Sequence, residues 1–349
     1  MMHETPSLEQ VIADIPYPGL TKTLGELKIV EALSVTPELI SVTLALSNDT
    51  AYETLRTTLI DLLQGYALGV EVKRKALSQK AITYGSTSKP NNRAPYAKKI
   101  IAVTSGKGGV GKSTVSVNLA VTLAQKGYKV GLLDADVYGP DVPRMLDVDD
   151  EKLRWNDANK IIPSENYGIK IMSVGLTTPR HDTPLVWRSS VAVSALIQFL
   201  EDVAWGELDF LVIDMPPGTG DVQLTMAQEL PITAGVLVST PQQVALGDVS
   251  RAIMMFKEIG TPIGGIIENM SFFIAPDTGV CYDIFGTGGA EAIACVYDIP
   301  FLGKIPLEIA IREASDAGRP PVASGNETFR NYYHAICDAL LKVIDQPNS

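Results

Sequence analysis

Residues 106–114 read GKGGVGKST and satisfy two phosphate-binding patterns at once. Gly106, Gly108 and Gly111 fit G-x-G-x-x-G, the dinucleotide fingerprint, whereas Gly106, Gly111, Lys112 and Ser113 fit G-x-x-x-x-G-K-[ST], the P-loop. In both patterns the glycines let backbone N–H groups turn inward on an anion, so Gly106 to Gly111, with Gly109 and Val110 between, form the nucleotide cradle. Lys112 and Ser113 separate the two readings. A dinucleotide site needs close helix–strand packing at that point and has no task for Lys-Ser. A triphosphate site uses both, the ammonium on the β- and γ-phosphates and the hydroxyl on Mg²⁺. The loop follows the apolar run KIIAVTS and opens a helical pattern, the context that phosphate binding at a helix N-terminus requires.

Two further stretches supply carboxylates. LLDADVYGP ends an apolar run in Asp134 and Asp136, and LVIDMPPGTGD ends another in Asp214. Acids at the C-terminal ends of adjacent parallel strands project into the ligand crevice of an open α/β sheet. Asp214 then suits holding Mg²⁺ through water, Asp136 suits positioning the attacking water, and Gly218 can offer its N–H to the γ-phosphate. Any one such aspartate is equally well explained as a helix cap or a solvated turn. Three elements converging on one loop favour a hydrolytic site.

The elements that must position these residues are legible as apolar runs: KIIAVTS, KVGLLDAD, IKIMSVG, FLVIDMP, AGVLVST and IGGIIENM. Runs without alternation predict strands buried on both faces, hence a mostly parallel sheet with helices on both faces. The helix after the first run, STVSVNLAVTLAQKG, sets Val115, Leu119 and Leu123 on one face and stops at Gly127. The first 75 residues have a different pattern. SLEQVIADI predicts a short helix capped by Ser7, with Gln10 completing a capping box. LISVTLAL alternates Ile40, Val42, Leu44 and Leu46 with smaller residues, a strand with one buried face. DTAYETLRTTLIDLLQG predicts a helix capped by Asp49 or Thr50 and ended by Gly65, and LGVEVKR a closing strand. The predicted fold class is α/β, a P-loop NTPase domain over 98–349, a small N-terminal α/β domain over 1–75, and a flexible linker over 76–97 rich in Ser, Asn, Gly and Pro.

The totals agree with an ordinary globular protein: 349 residues, 46% hydrophobic and 20% charged. A net charge of −11 argues against broad nucleic-acid or membrane-surface binding. MMHETPSLEQ carries no basic region followed by an apolar stretch, so no secretory signal is expected, and no apolar run approaches the ~20 residues of a membrane span. Three cysteines (Cys281, Cys295 and Cys337) are too few and too unevenly spaced for a disulfide framework, which points to the cytoplasm. The three histidines, His3, His181 and His334, lack ligand-like spacing.

SGKGGVGKST resembles the deviant P-loop of the MinD-like ATPases. Together with DADVYGPDVP, DMPPGTGDVQLT, ENMSFF and IFGTGGA it resembles the Mrp/ApbC family of iron–sulfur cluster carrier ATPases, from about Lys98 to Val322. The preceding region is similar to the small N-terminal domain that many Mrp proteins carry. The resemblance implies an ATP- and Mg²⁺-dependent homodimer that delivers iron–sulfur clusters to apoprotein clients. It implies that Lys107 reaches the partner's nucleotide, Lys112 binds phosphate in cis, Ser113 ligates Mg²⁺ and Thr114 contacts phosphate. Asp136 is then the catalytic acid of the first switch, Asp214 begins the second, and Asn269 hydrogen-bonds the adenine. A lysine donated in trans couples hydrolysis to dimerisation, since it stabilises transition-state charge only when two subunits close.

The pattern breaks at the cluster site. Family members proposed to hold a cluster carry C-x-x-C just after ENMS, where this chain has Ala275 and Thr278. A cluster ordinarily takes four thiolates, and two facing C-x-x-C copies supply them. Cys281 alone supplies two per dimer; as an ordinary loop thiol it supplies none. Cys295 and Cys337 are expected to be small buried hydrophobes. Ser189 and Ser190 follow Trp187 and Arg188 where the family has Gly-Pro, and Arg312 and Asp316 either shape the nucleotide pocket or serve structure. Three competitors stand beside the carrier reading. The first is a nucleotide-switched scaffold that has lost the cluster site. The second is a MinD-like positioning ATPase, disfavoured by the polar, acidic end of NETFRNYYHAICDALLKVIDQPNS. The third is a dinucleotide oxidoreductase.

Overall fold

In the computed structural model, which describes residues 7–18, 20, 22–75, 91–177 and 189–346, alternating and continuous apolar patterns build two different sheets. The chain divides into two units, Met1–Ile82 with Ala292–Asp298, and Thr83–Glu291 with Ile299–Ser349.

In the first unit Ser7 caps helix α1 (Leu8–Ala13), its Oγ accepting the Gln10 N–H at 3.3 Å. The capping box stays half-formed, because Gln10 Nε2 donates to Asp14 Oδ1 at 2.9 Å instead of turning back. Strands β1 (Val30–Val35), β2 (Leu39–Ala45) and β3 (Gly69–Lys75) form a sheet in the order β1-β2-β3. The β1–β2 pair is antiparallel and the β2–β3 pair parallel, joined by helix α2 (Asp49–Leu63). Ile40, Val42 and Leu44 are fully buried, as the alternation predicts, and Ala51, Leu55, Leu59 and Leu63 form the buried face of α2 at four-residue spacing. The cap of α2 is Asn48, one residue earlier than expected: its Oδ1 accepts the Ala51 N–H at 2.8 Å. Strand β1 was not anticipated, because its residues are half-buried or exposed with no period of two.

The second unit is an eight-stranded sheet. Its strands are β4 (Ala97–Ser105), β5 (Val130–Asp134), β8 (Ser164–Asn166), β9 (Ile169–Ser173), β10 (Leu208–Asp214), β11 (Ala234–Ser239), β12 (Ile263–Glu268) and β15 (Phe301–Lys304). The order is β15-β12-β11-β4-β10-β5-β9-β8, parallel throughout except for the antiparallel β8–β9 edge. Two small ladders lie outside it, β6 (Arg154–Trp155) with β7 (Ile161–Ile162), and β13 (Phe273–Ile274) with β14 (Cys281–Tyr282). The helices are α3 (Lys112–Gln125), α4 (Val142–Met145), α5 (Ser189–Asp202), α6 (Asp221–Glu229), α7 (Gln243–Glu258), α9 (Ile309–Asp316) and α10 (Glu327–Asp345), while α8 (Gly289–Tyr297) begins in this unit and from Ala292 onward belongs to the first. One face of the sheet packs Val212 and Val236 against Leu119 and Leu123 of α3 and Leu340 of α10. The other packs Ile100 and Leu211 against Leu196 and Leu200 of α5 and Met226 of α6. Successive residues of β10 thus bury on opposite faces, which is why its sequence is an unbroken apolar run.

Residues 76–90 of the expected linker lie outside the described residues. Its last part is anchored rather than free. The Asn91 N–H donates to Gln228 O at 3.0 Å, and Arg93 pairs with Glu229 at 2.7 Å and Glu201 at 2.5 Å. Leu211→Ala, at a fully buried position on the central β10 strand, is expected to cost about 2–5 kcal/mol, read as a lower urea midpoint of the second unit.

Candidate functional site

The loop between β4 and α3 is braced from two neighbouring elements. A Cβ at Gly106 would lie 2.2 Å from the backbone carbonyl carbon of Asp248 in α7, so only glycine fits there. Gly111 caps α3 at φ +81°, and a Cβ on it would lie 2.2 Å from Asn269 Nδ2. That same Nδ2 donates to Val110 O at 2.8 Å, tying the end of β12 to the loop. By contrast, Cβ atoms at Gly108 and Gly109 would meet nothing within 4 Å. The middle of the loop is thus unobstructed at the N-terminal end of α3, where the first N–H groups of a helix lack partners within the helix itself. Thr114 stands in that first turn, where its carbonyl accepts Asn118 Nδ2 at 2.8 Å.

Below the loop the strand ends bring carboxylates under the cation. Lys112 is only 6% exposed, and its Nζ lies 2.8 Å from Asp214 Oδ2 and 3.7 Å from Asp136 Oδ2. Ser113 Oγ donates to the same Asp214 Oδ2 at 2.6 Å. Ser116 Oγ donates to the other oxygen, Oδ1, also at 2.6 Å. Asp214 is itself fully buried at the end of β10. Its register partner on β5 is Asp134, whose Oδ2 accepts Ser173 Oγ at 2.8 Å and whose Oδ1 accepts the Asp136 N–H at 3.1 Å. Burial, then the neighbouring Asp214 charge, push the Asp134 carboxyl well above the usual range, against the opposing pull of Ser173 and Lys112. Burial also raises Asp136, with Lys112 opposing and Asp214 adding to the shift. The hydroxyl of Ser113 and the carboxylate of Asp214 form an all-oxygen donor set, which suits a hard cation such as Mg²⁺.

Lys112, Ser113, Asp136 and Asp214 are therefore brought together. Other expected residues are engaged elsewhere. Lys107 Nζ donates to Gln242 Oε1, the residue capping α7, at 3.3 Å. The Gly218 N–H donates to Ser105 O at 2.8 Å, so this amide is already spoken for. Arg312 and Asp316 pair with each other at 3.0 Å on the exposed side of α9. Sequence reasoning missed Ser116 and Gln242. The signal available for Ser116 was its place one helical turn after Ser113, on the same face.

The family model for ParA, described as NUBPL iron-transfer P-loop NTPase, matches residues 96–341. The chain belongs to this family. In keeping with that membership, it is 46% identical over 280 residues to the iron–sulfur cluster carrier protein of Aquifex aeolicus, covering 79% of this chain and 77% of that one. It is 41% identical over 334 residues to the iron–sulfur cluster carrier protein of Synechocystis sp., covering 94% of each. Among solved structures it is similar to a nucleotide-binding protein from Archaeoglobus fulgidus in complex with ADP, at 38% identity and a TM-score of 0.60, over 69% of this chain and 94% of that one.

For this NUBPL-family chain the cysteine positions are a separate matter. Ala275 and Thr278 lie in the β13–β14 hairpin, where the Ala275 N–H donates to Val280 O and its carbonyl accepts the Gly279 N–H. Cys281 is exposed on β14, Cys295 is half-buried and Cys337 fully buried, its thiol pushed up to about 12 by burial. Among the described residues no three His, Cys, Asp or Glu side chains gather into a metal-holding group. Trp187 and Arg188, and the side chains of Ser189 and Ser190, lie outside the described residues.

Two predictions follow from the geometry. Gly106→Ala is expected to lower stability by about 1–3 kcal/mol through overpacking against α7, whereas Gly108→Ala stays within about 0.5 kcal/mol; thermal melts distinguish them. For Asp134 the folded state holds its proton more tightly than the unfolded chain, so stability falls as pH rises above the ordinary carboxylate range. Asp134→Asn lacks that loss. Its melting temperature relative to the unsubstituted protein should climb as pH rises above the ordinary carboxylate range, and a flat difference would refute the buried-acid account.

Proposed function

We propose that this chain is a slow, switch-type ATPase that works as a homodimer and carries iron–sulfur clusters to apoprotein clients. The observation that carries the reading is the buried Lys112–Ser113–Asp214 constellation under an open glycine loop, in a chain whose relatives are named iron–sulfur cluster carrier proteins. In this reading Gly106 to Gly111, Lys112 and Thr114 hold the phosphates, and Lys112 exchanges Asp214 for the β- and γ-phosphate oxygens. Ser113 and Asp214 would hold Mg²⁺, which would supply charge neutralisation at the phosphate oxygens. Asp136, with its raised proton affinity, takes or orients the proton of the attacking water. Gly218 leaves Ser105 O to meet the γ-phosphate. Asn269 keeps its amide nitrogen on Val110 and presents its carbonyl oxygen to the adenine amino group. Lys107 leaves Gln242 and reaches the partner's nucleotide, so turnover requires two subunits.

In this reading the setting is the cytoplasm, in keeping with three cysteines that form no disulfide among the described residues, and neither nucleic acid nor membrane is a partner. No helix among the described residues is long and apolar enough to cross a membrane. Ala275 and Thr278 favour a second reading, a nucleotide-switched scaffold without a cluster. Anaerobic reconstitution with iron and sulfide separates the two. A carrier retains iron and shows charge-transfer absorbance that falls in Cys281→Ser; a scaffold shows neither.

For the ATPase half, Lys107→Ala is expected to keep ATP affinity within about threefold while turnover falls by roughly 10²–10³. Lys112→Ala should lose both. Unchanged affinity and turnover in Lys112→Ala would overturn the assignment.

A further inference from the structure

We propose that Ser116 is a positioning residue. By fixing both oxygens of the Asp214 carboxylate, together with Ser113, it sets how far Mg²⁺ strengthens nucleotide binding. This rests on reading the site as one for Mg²⁺ and a nucleoside phosphate.

The starting point is the environment of Asp214. A fully buried carboxylate needs donors on both oxygens. Oδ2 has two, the Lys112 ammonium and the Ser113 hydroxyl. The hydrogen bond to Oδ1 comes from Ser116 at 2.6 Å. Ser116 is itself 0% exposed and has a second acceptor within reach, the carbonyl of Lys112 at 3.1 Å. A hydroxyl in a helix interior ordinarily bonds back to the carbonyl four residues earlier, as Thr122 does to Asn118 at 2.7 Å in the same helix. Ser116 has one proton, and the shorter, charge-assisted bond to the carboxylate takes it. The helix thus directs a hydroxyl away from its own backbone and onto a strand 98 residues further along the chain.

The consequence appears when Lys112 turns to a phosphate. Asp214 then keeps two donors, one hydroxyl on each oxygen, which defines the plane of the carboxylate. With Ser116 removed, a single hydroxyl on Oδ2 leaves the carboxylate able to rotate about its terminal torsion, a soft two-fold rotor. The acceptor that orients the Ser113 hydroxyl is then no longer fixed in direction. Ser116 touches neither nucleotide nor the reacting atoms in this account; it acts through Asp214.

The test uses the full chain, with Ser116→Ala and Ser116→Thr, and titrates a fluorescent ATP analogue in Mg²⁺ and in EDTA. In the unsubstituted protein Mg²⁺ is expected to tighten binding. In Ser116→Ala that gain should shrink by about tenfold, while affinity in EDTA stays within about twofold. Ser116→Thr, which restores the hydroxyl, should recover the gain. Equal weakening of Ser116→Ala with and without Mg²⁺ would mean a packing role and would overturn the proposal, as would an unchanged Mg²⁺ gain. Ser116→Cys, of similar shape but a weak donor, carries the same test if the alanine variant fails to fold. An unsubstituted protein whose affinity ignores Mg²⁺ would defeat the site reading itself, a result separable from failure of the serine variants alone.

Discussion

The second unit is organised around a negative charge that has no water. Asp214 sits at the end of a central strand, fully buried, and a carboxylate in that place is tolerable only with an opposite charge and directed donors beside it. Lys112, Ser113 and Ser116 meet that need, and all three come from the first turns of one helix. The requirement therefore fixes the rotation of α3 relative to the sheet. It also holds the Lys112 ammonium under the glycine loop, ready to be drawn toward a stronger anion.

The same constraint explains the second aspartate. Parallel pairing of β5 with β10 places Asp134 directly beside Asp214, and one lysine serves both acids and Asp136 as well. One cation among three carboxyl groups is too little to keep all of them ionised away from solvent. Burial, then the charge of Asp214, raise the proton affinity of Asp134 well above the usual range. Above the acids the loop is held by packing and by a side-chain amide rather than by charge: α7 closes on Gly106, and Asn269 grips the Val110 carbonyl.

Much of this was legible in the sequence for identifiable reasons. The six strands read as apolar runs are those buried on both faces, where every residue must be apolar. The strands not anticipated are β1, which is largely exposed, and the short β6, β7, β8, β13, β14 and β15, none longer than the four residues Phe301–Lys304. Periodicity needs length or a buried face, and these lack one or the other. At the site, motif spacing marked Lys112, Ser113, Asp136 and Asp214. It did not mark Ser116, nor that Lys107 rests on Gln242 or that Asn269 holds Val110. Those contacts join residues 98, 135 and 159 positions apart; the place of Ser116 one helical turn after Ser113 set it on the right face but did not name Asp214 as its partner. The N-cap of α2 shifted by one residue because Asn48 competes with Asp49 and Thr50 as an acceptor, a difference too small for pattern alone to decide.

The turn around Gly218 is held at both ends. Two prolines, Pro216 and Pro217, precede it and stiffen the backbone there. Gln223 in α6 donates its side-chain amide to both of their carbonyls, at 3.0 and 2.8 Å. The glycine is thus the tip of a rigid arm whose other end is bolted to a helix. One end of the turn is fastened to the strand end at Ser105 and the other to α6, so the two elements are mechanically linked through a single short segment.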